Sequence, residues 1–486
     1  MTRWTLLGLV FLLMVTLALA TPYGVGVIAE RHFQDLIITL DQDPQIHVVS
    51  QSYERGYRKS QAVVVLEWVR PRRSRGLGQW LDRLGIDQRA SVPLTMKHQI
   101  DHGPMWRAVG ASALGFGAGR IQTAISLPPD LQQQLAGYFP DGAVLTTQGE
   151  MTFTGRLNGH FDVPAYQGPI HGQPGGAVAW EPAKLAFTLT PHSQILKTSV
   201  AWPRLTISLP DGQRIQVDGL GGDGEMRPGP SGIYLGRYTV RMDAISGQSG
   251  GDTATNWRAE SVESIYDVDQ NGELINLGQK LRLTGLEWAQ ERLGPGNLEL
   301  RLENLDPIAL AGLRRRLLQA RSGGLNAALV VGGFDDLVGL LAASPRFEIK
   351  EMVLMTPDGE VRGHGEVAFA GGGNVPLFDI RALIGRTHAA AGLSLPEQVL
   401  LDVLIERSRW DLLEEGMPSG PELDAAAARW GQARFDELVS RGVWLREGGR
   451  LKSEIELKNA NLLINGQLAG ELGNVIPDAL AQPLRP

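Results

Sequence analysis

Apolar and polar residues alternate with a period of two through much of this chain, the signature of half-buried antiparallel strands. In one stretch Met151, Phe153, Gly155 and Leu157 alternate with Thr152, Thr154 and Arg156. In a second, Tyr234, Tyr238, Val240 and Met242 alternate with Leu235, Arg237, Thr239 and Arg241. A third sets Val361, Val367 and Phe369 against Arg362, His364 and Glu366. Turn chemistry punctuates these runs. Phe139-Pro140-Asp141-Gly142, Leu209-Pro210-Asp211-Gly212 and Thr356-Pro357-Asp358-Gly359 share one pattern, and Asp269-Gln270-Asn271-Gly272 is its Asn-Gly equivalent. Pro presets φ at the first turn position, and Gly accepts the left-handed one. Further strands are predicted over 62–69, 94–101, 121–126, 185–190, 215–218, 274–286, 298–305 and 347–355, with a last pair straddling Asn459–Asn461. Helical spacing is rarer. Pro307–Ala320 and Leu325–Ala343 read as a hairpin broken at Ser322-Gly323-Gly324, and Leu395–Trp410 and Pro421–Gly442 as a second helical region. In the last of these, Leu423, Ala427, Trp430, Phe435 and Leu438 fall near one face.

The amino terminus breaks this pattern. No charged residue occurs from Trp4 to Ala29, behind the short positive segment ending at Arg3. A membrane span needs about 20 apolar residues. Ala18-Leu19-Ala20 offers a small-residue cleavage site. The longer uncharged run favours an uncleaved anchor, and both readings export the rest of the chain. The expected fold is α+β, mainly β: an extended antiparallel sheet with helices packed on it and an N-terminal transmembrane anchor. Its expected parts are the signal-anchor over 1–29, a β-rich region over 30–306, and helical hairpins alternating with β hairpins over 307–486, completing the same body.

Composition narrows the function more than it defines it. The 60 Gly among 486 residues exceed the usual ~7%, without a Gly-X-Y period, and so point to turns. A formal net charge of −7 gives no reason to expect nucleic acid as a partner. The lack of Cys excludes disulfides, thiolate metal sites and cysteine nucleophiles.

Several short patterns invite chemistry, and each has a plainer reading. His98 and His102 are four apart, but on a strand that spacing spans ~13 Å, too far to share a metal; His102 is expected to cap local carbonyls at a strand end. Asp267–Gly272 resembles half a calcium loop, yet the twelfth position is Gly278 where a bidentate Glu is needed, so a hairpin turn is the better reading. Gly247-Gln248-Ser249-Gly250-Gly251 lacks the helix that a nucleophile elbow requires. No catalytic motif, metal site or cofactor site is identified. Arg70, Arg72, Arg73 and Arg75 precede Leu77, Trp80, Leu81 and Leu84 at helical spacing. The two readings are a solvated loop whose Leu/Trp face packs on the sheet, and a contact with an anionic membrane surface through Arg70, Arg72, Arg73, Arg75 and Trp80.

Four segments, in order, carry a family resemblance: Thr21-Pro22-Tyr23-Gly24-Val25-Gly26; Tyr53-Glu54-Arg55-Gly56-Tyr57-Arg58-Lys59-Ser60; Ile100-Asp101-His102-Gly103-Pro104; and Leu463-Ile464-Asn465-Gly466-Gln467. Together they resemble the YdgA-like family of bacterial inner-membrane-anchored proteins. The basic 70–89 insert is longer than the family pattern suggests. The resemblance implies a single-pass inner-membrane anchor with most of the chain in the periplasm. It implies no catalytic residue, and singles out Tyr53, Arg55, Gly56, His102, Gly103 and Pro104 as structural motif positions. The plan is also similar, at the level of fold analogy, to AsmA-like anchored sheets with lipid grooves. The expected function is a non-enzymatic, membrane-anchored periplasmic protein supporting envelope organisation and holding or handing on acyl chains along its sheet. The alternative is an interaction scaffold docking another envelope protein. Expected partners are the inner membrane and either phospholipid or an envelope protein, with no cofactor and no nucleic acid.

Overall fold

A computed structural model describes residues 23–38, 40–41, 46–69, 91–102, 105–107, 114–126, 128–129, 133, 145–170, 174–190, 194–248, 256–288, 291–313, 316, 327–372 and 379–471. Strands dominate these residues and every pairing is antiparallel; helices are few. The chain divides into two compact units, with a division inside a strand, between Val240 and Arg241. The reason is ladder continuity. Strands from 256 onward pair with strands beyond 346, which ties the 256–306 segment to the carboxyl-terminal part.

In the first unit, helix α1 (residues 23–38) precedes the strands β1 (Ile46–Arg55), β2 (Lys59–Val69), β3 (Ser91–His102), β4 (Met105–Arg107), β5 (Leu114–Phe116), β6 (Gly119–Ser126), β7 (Leu145–Met151) and β8 (Leu157–Val163). There follow β9 (Tyr166–Pro169), β10 (Ala177–Trp180), β11 (Ala183–Thr190), β12 (Ile195–Ser208), β13 (Arg214–Pro228) and β14 (Tyr234–Gln248), which crosses the division. The sheet order is β1-β2-β3-β6-β7-β8-β11-β12-β13, and β9-β10 adds beside β11 on β12. Strands β4 and β5 form a separate hairpin.

The second unit contains β15 (Asn256–Asn271), β16 (Leu274–Leu283), β17 (Gly285–Trp288), β18 (Glu291–Leu293) and β19 (Gly296–Leu305), then α2 (residues 307–313) and α3 (Ala327–Ala342). It continues with β20 (Arg346–Thr356), β21 (Gly359–Phe369), α4 (Ile380–Gly385), β22 (Thr387–Pro396), α5 (Glu397–Glu414) and α6 (Pro421–Ser440). It ends with β23 (Leu445–Glu447), β24 (Arg450–Lys458), β25 (Asn461–Ile464) and β26 (Gln467–Glu471). Its sheet runs β15-β16-β19-β20-β21-β22-β24-β25-β26, with β17-β18 added on β15 and β23 on β24.

Several elements depart from the sequence pattern. The alternating run 151–157 is two strand ends and a turn. Gly155 has φ +80°, and the backbone N–H of Arg156 donates to Thr152 Oγ1 at 3.0 Å. A tight turn preserves the alternation of the strands it joins, so periodicity alone misses it. Strand β12 contains Pro203, whose partner position is Gly219 (φ +62°), so the missing N–H falls at an irregular point in an otherwise unbroken ladder. Strand β22, rich in Ala, has little β signal; it runs to Pro396, which caps α5, so the helix begins at Glu397 and not at Leu395. On α6 the buried positions are Leu423, Ala426, Ala427, Gly431 and Phe435, while Trp430 is 45% exposed. The turns at 209–212, 269–272 and 356–359 close the hairpins β12–β13, β15–β16 and β20–β21; residues 139–142 lie outside the described residues.

Among the described residues no helix is long and apolar enough to cross a membrane. Residues 1–22, which hold most of the expected anchor, lie outside them. The last residues of the expected anchor, from Tyr23 to Ala29, lie on α1. Val25, Ala29, Phe33 and Ile37, spaced four apart on α1, are buried against Ala62, Val64, Leu66, Ile100, Ile121 and Met151. Their neighbours Tyr23, Gln34, Asp35 and Ile38 face solvent. The stretch from Tyr23 is therefore the apolar stripe of an amphipathic helix on a sheet.

Candidate functional site

Three of the four resemblance segments, distant in sequence, meet where α1 lies on β1–β3. The Arg55 guanidinium sits 4.9 Å from the Tyr23 ring centroid, and it donates to Tyr23 Oη at 3.2 Å and to Glu30 Oε2 at 2.9 Å. Tyr53 stacks near Phe33, with ring centroids 5.4 Å apart. His102 is buried directly under Gly26; a Cβ there would lie 2.8 Å from the His102 ring. So the small residue in the first segment is required by the imidazole of the third. His102 Nε2 shares a hydrogen bond of 3.0 Å with Ser60 Oγ, and its backbone N–H donates to Arg58 O. The His102 side chain thus bonds across to β2. Gly56 turns the chain where a Cβ would collide with Lys59 O. Gly103 and Pro104 lie outside the described residues, as do Arg70, Arg72, Arg73, Arg75 and Trp80.

His98 lies on the same face as His102. Its Nδ1 is 2.7 Å from Thr123 Oγ1, and the Phe33 ring edge is 5.1 Å away by centroids. Burial lowers its pKa to about 4, so it is neutral in ordinary buffers. Burial also raises the Tyr53 phenol above its usual value. These are core groups, closed off by α1, and they act as a lock between helix and sheet.

The second unit presents a different surface. Cross-strand partners there fall into apolar rows that sequence spacing cannot reveal. One row is Val268, Leu277, Leu302, Phe347, Val367, Ala389, Leu457 and Leu462, one residue from each of eight neighbouring strands. Beside it run Tyr266, Gln279, Leu300, Ile349, Gly365, Ala391, Ile455 and Ile464. A third row holds Leu281, Leu298, Met352 and Leu393. At ~4.8 Å per strand the first row extends for roughly 34 Å.

The reverse face of this sheet is ionic. Lys280 pairs with Glu299 at 2.8 Å, Arg282 with Glu263 at 3.2 Å, Arg301 with Asp269 at 3.3 Å, and Arg346 with Glu366 at 2.8 Å. The hydrogen bond from Lys280 is the main reason the Glu299 carboxyl is held below its usual pKa. These ion pairs thus lie on one side, and the other is mainly carbon, with Gln279 donating to Tyr266 Oη at 3.1 Å within the second row.

Among the described residues, helices cover only part of the apolar side. Where α5 and α6 pack, Leu395, Leu400, Phe435 and Leu451 are fully buried, with Leu393 and Val361 against them. Away from that contact, Leu277, Leu281, Leu298, Leu300, Leu302 and Met352 stay half-buried, no better covered than Lys280 and Glu299 opposite. Phe347, Val367, Ile455 and Tyr266 are 38–46% exposed. A contiguous apolar surface left exposed to this extent is uncommon on a folded domain.

The fourth resemblance segment finishes this unit. Asn465 (φ +49°) and Gly466 (φ +76°) form the left-handed turn between β25 and β26. The Asn465 side chain accepts from Glu454 N at 2.8 Å and donates to Gly442 O at 2.7 Å and Val443 O at 3.0 Å, joining the end of α6 to β24.

Among the described residues no group of three His, Asp or Glu side chains is placed to hold a metal ion. Asp269, in the half calcium loop, accepts from Asn276 Nδ2 at 2.7 Å and pairs with Arg301 within the β15–β16 hairpin region. Ser249 lies outside the described residues.

Residues 1–468 match the family model described as "Bacterial protein of unknown function (DUF945)". No curated protein and no solved structure matches the chain.

Proposed function

We propose, from the premise that this chain belongs to the DUF945 family of bacterial proteins, that it is a non-enzymatic, membrane-anchored envelope protein whose second unit holds lipid acyl chains along its sheet. The observation that carries this reading is the set of apolar rows crossing β15–β25, half-buried and open over their middle. Their run of roughly 34 Å is about twice the ~15 Å depth of one bilayer leaflet's hydrocarbon, half the ~30 Å core. An aliphatic trough of that length, with these ion pairs on the reverse face, suits a flexible hydrocarbon chain. The uncharged segment from Trp4 supports the anchor, the inner membrane and a periplasmic location for the body. The α1 lock would then hold the first unit's sheet close to the bilayer.

Native mass spectrometry of the full-length protein, purified in detergent, tests this. The protein should carry co-purifying phospholipid. Leu298→Asp with Leu300→Asp places two carboxylates in the trough and should abolish the adduct, because burying an ionised group beside hydrocarbon is strongly unfavourable. An adduct retained by that variant, or a wild-type protein that never takes up added phosphatidylglycerol, refutes the reading. A second reading, a scaffold docking another envelope protein, rests on Trp410 and Val403 of α5 and Trp430 of α6, which are 63%, 59% and 45% exposed. A stoichiometric protein partner lost on Trp410→Ala, without bound lipid, would favour it.

A further inference from the structure

The face of β2, β3, β6 and β7 turned away from α1 carries a row of four glutamines. The ladders place Gln61 opposite Gln99, Gln99 opposite Gln122, and Gln122 opposite Gln148. The adjacent row is Val63, Lys97, Ala124 and Thr146. Both rows line one open cavity of about 510 Å³. Gln61, Gln99 and Gln148 are exposed and Gln122 is half-buried. Gln148 accepts from Arg120 Nη2 at 2.8 Å, while the side chains of Gln61, Gln99 and Gln122 carry no hydrogen bond to another described residue.

We infer that this row is a binding site for a linear saccharide, independent of the acyl trough in the other unit. Each primary amide offers two donors and an acceptor. Strand spacing repeats that offer every ~4.8 Å, so the row spans ~14 Å. A ligand matching it needs donors and acceptors along its whole length, which is the chemistry of neighbouring hydroxyls on successive sugar rings. Lys97 is the one lysine or arginine among the described residues lining the cavity. That is too little charge for a polyanion and enough to donate to a hydroxyl or a single carboxylate. An apolar ligand is disfavoured because it would strip water from amides without replacing the hydrogen bonds.

Isothermal titration of the full-length protein in detergent with N-acetylglucosamine hexamer, and separately with glucose hexamer, is the test. Binding of either is expected, and which one binds identifies the sugar class. Gln99→Ala with Gln122→Ala should weaken it by about tenfold or more, as expected for losing hydrogen bonds worth ~0.5–1.5 kcal/mol each. Gln99→Glu, which keeps the shape but loses the donors, should weaken it too. No heat from either sugar with the wild type overturns the inference. So does unchanged affinity in both variants, and so does a lowered melting temperature with unchanged affinity, which would make the row a structural ladder.

Discussion

Replacing His98 with Leu should flatten the pH dependence of opening in the first unit. The imidazole is buried beneath Phe33 and bonded to Thr123, with its pKa lowered to about 4 from 6.5. Lowering means that the unfolded chain binds the proton first as pH falls, so stability is lost between the two values. From those pKa values the loss between about pH 7 and about pH 4.5 is roughly 2 kcal/mol, out of a ceiling near 3 kcal/mol below both. Above about pH 7.5 the residue contributes almost no pH dependence. His98→Leu has no titrating group, so it should lack this increment, although it strands Thr123 Oγ1 at a cost of about 1 kcal/mol at every pH. Hydrogen exchange by mass spectrometry on peptides from β2 and β3 reads the local opening free energy without requiring the whole chain to unfold as one. The stability of the variant relative to the wild type should shift by roughly 2 kcal/mol in the variant's favour on acidification, from less stable near neutrality to more stable in acid. Equal slopes for the two proteins would show that His98 is protonated or exposed in the native state, and the burial argument would fail.

Arg55→Ala should speed exchange in residues 23–30 by about 1 kcal/mol of local opening and leave peptides of the second unit unchanged, because the guanidinium joins Tyr23 and Glu30 to β1. Asn465→Ala should lower stability by about 2–3 kcal/mol in a denaturant titration of the second unit, since it empties three hydrogen bonds at a left-handed position; Asn465→Gly, which relieves the backbone, should lose less. Gly431→Ala should cost about 1–3 kcal/mol, seen as faster exchange in both α5 and α6, because the new methyl would meet Ile405 backbone atoms at 2.8 Å.

Much of this protein can be read locally. The period-two runs and the Pro-Asp-Gly and Asn-Gly turns foretold β12–β13, β15–β16 and β20–β21, because turn geometry depends on four consecutive residues. The helices at 327–342 and 421–440 followed from spacing and from a Pro at the first turn of the latter. The uncharged segment likewise announced itself, although it could not tell lipid from protein as the environment of Val25 and Ala29: an apolar stripe is the same stripe in either solvent. The Tyr–Arg–Gly, His and Asn–Gly segments stood out as unusual, but not for what they do.

Tertiary structure decided what meets what. Tyr23, Arg55 and His102 converge because β1–β3 fold back under α1, and Asn465 reaches Gly442 across a hairpin. The apolar rows of the second unit and the glutamine row of the first exist only through register. Val268, Leu302 and Val367 are unremarkable in sequence, and pairing aligns them on one face; a slip of one residue in any strand would turn its contribution to the other side. Alternation tells each strand that it has two faces, whereas only the ladder chooses which neighbour's carbon or charge each face will share.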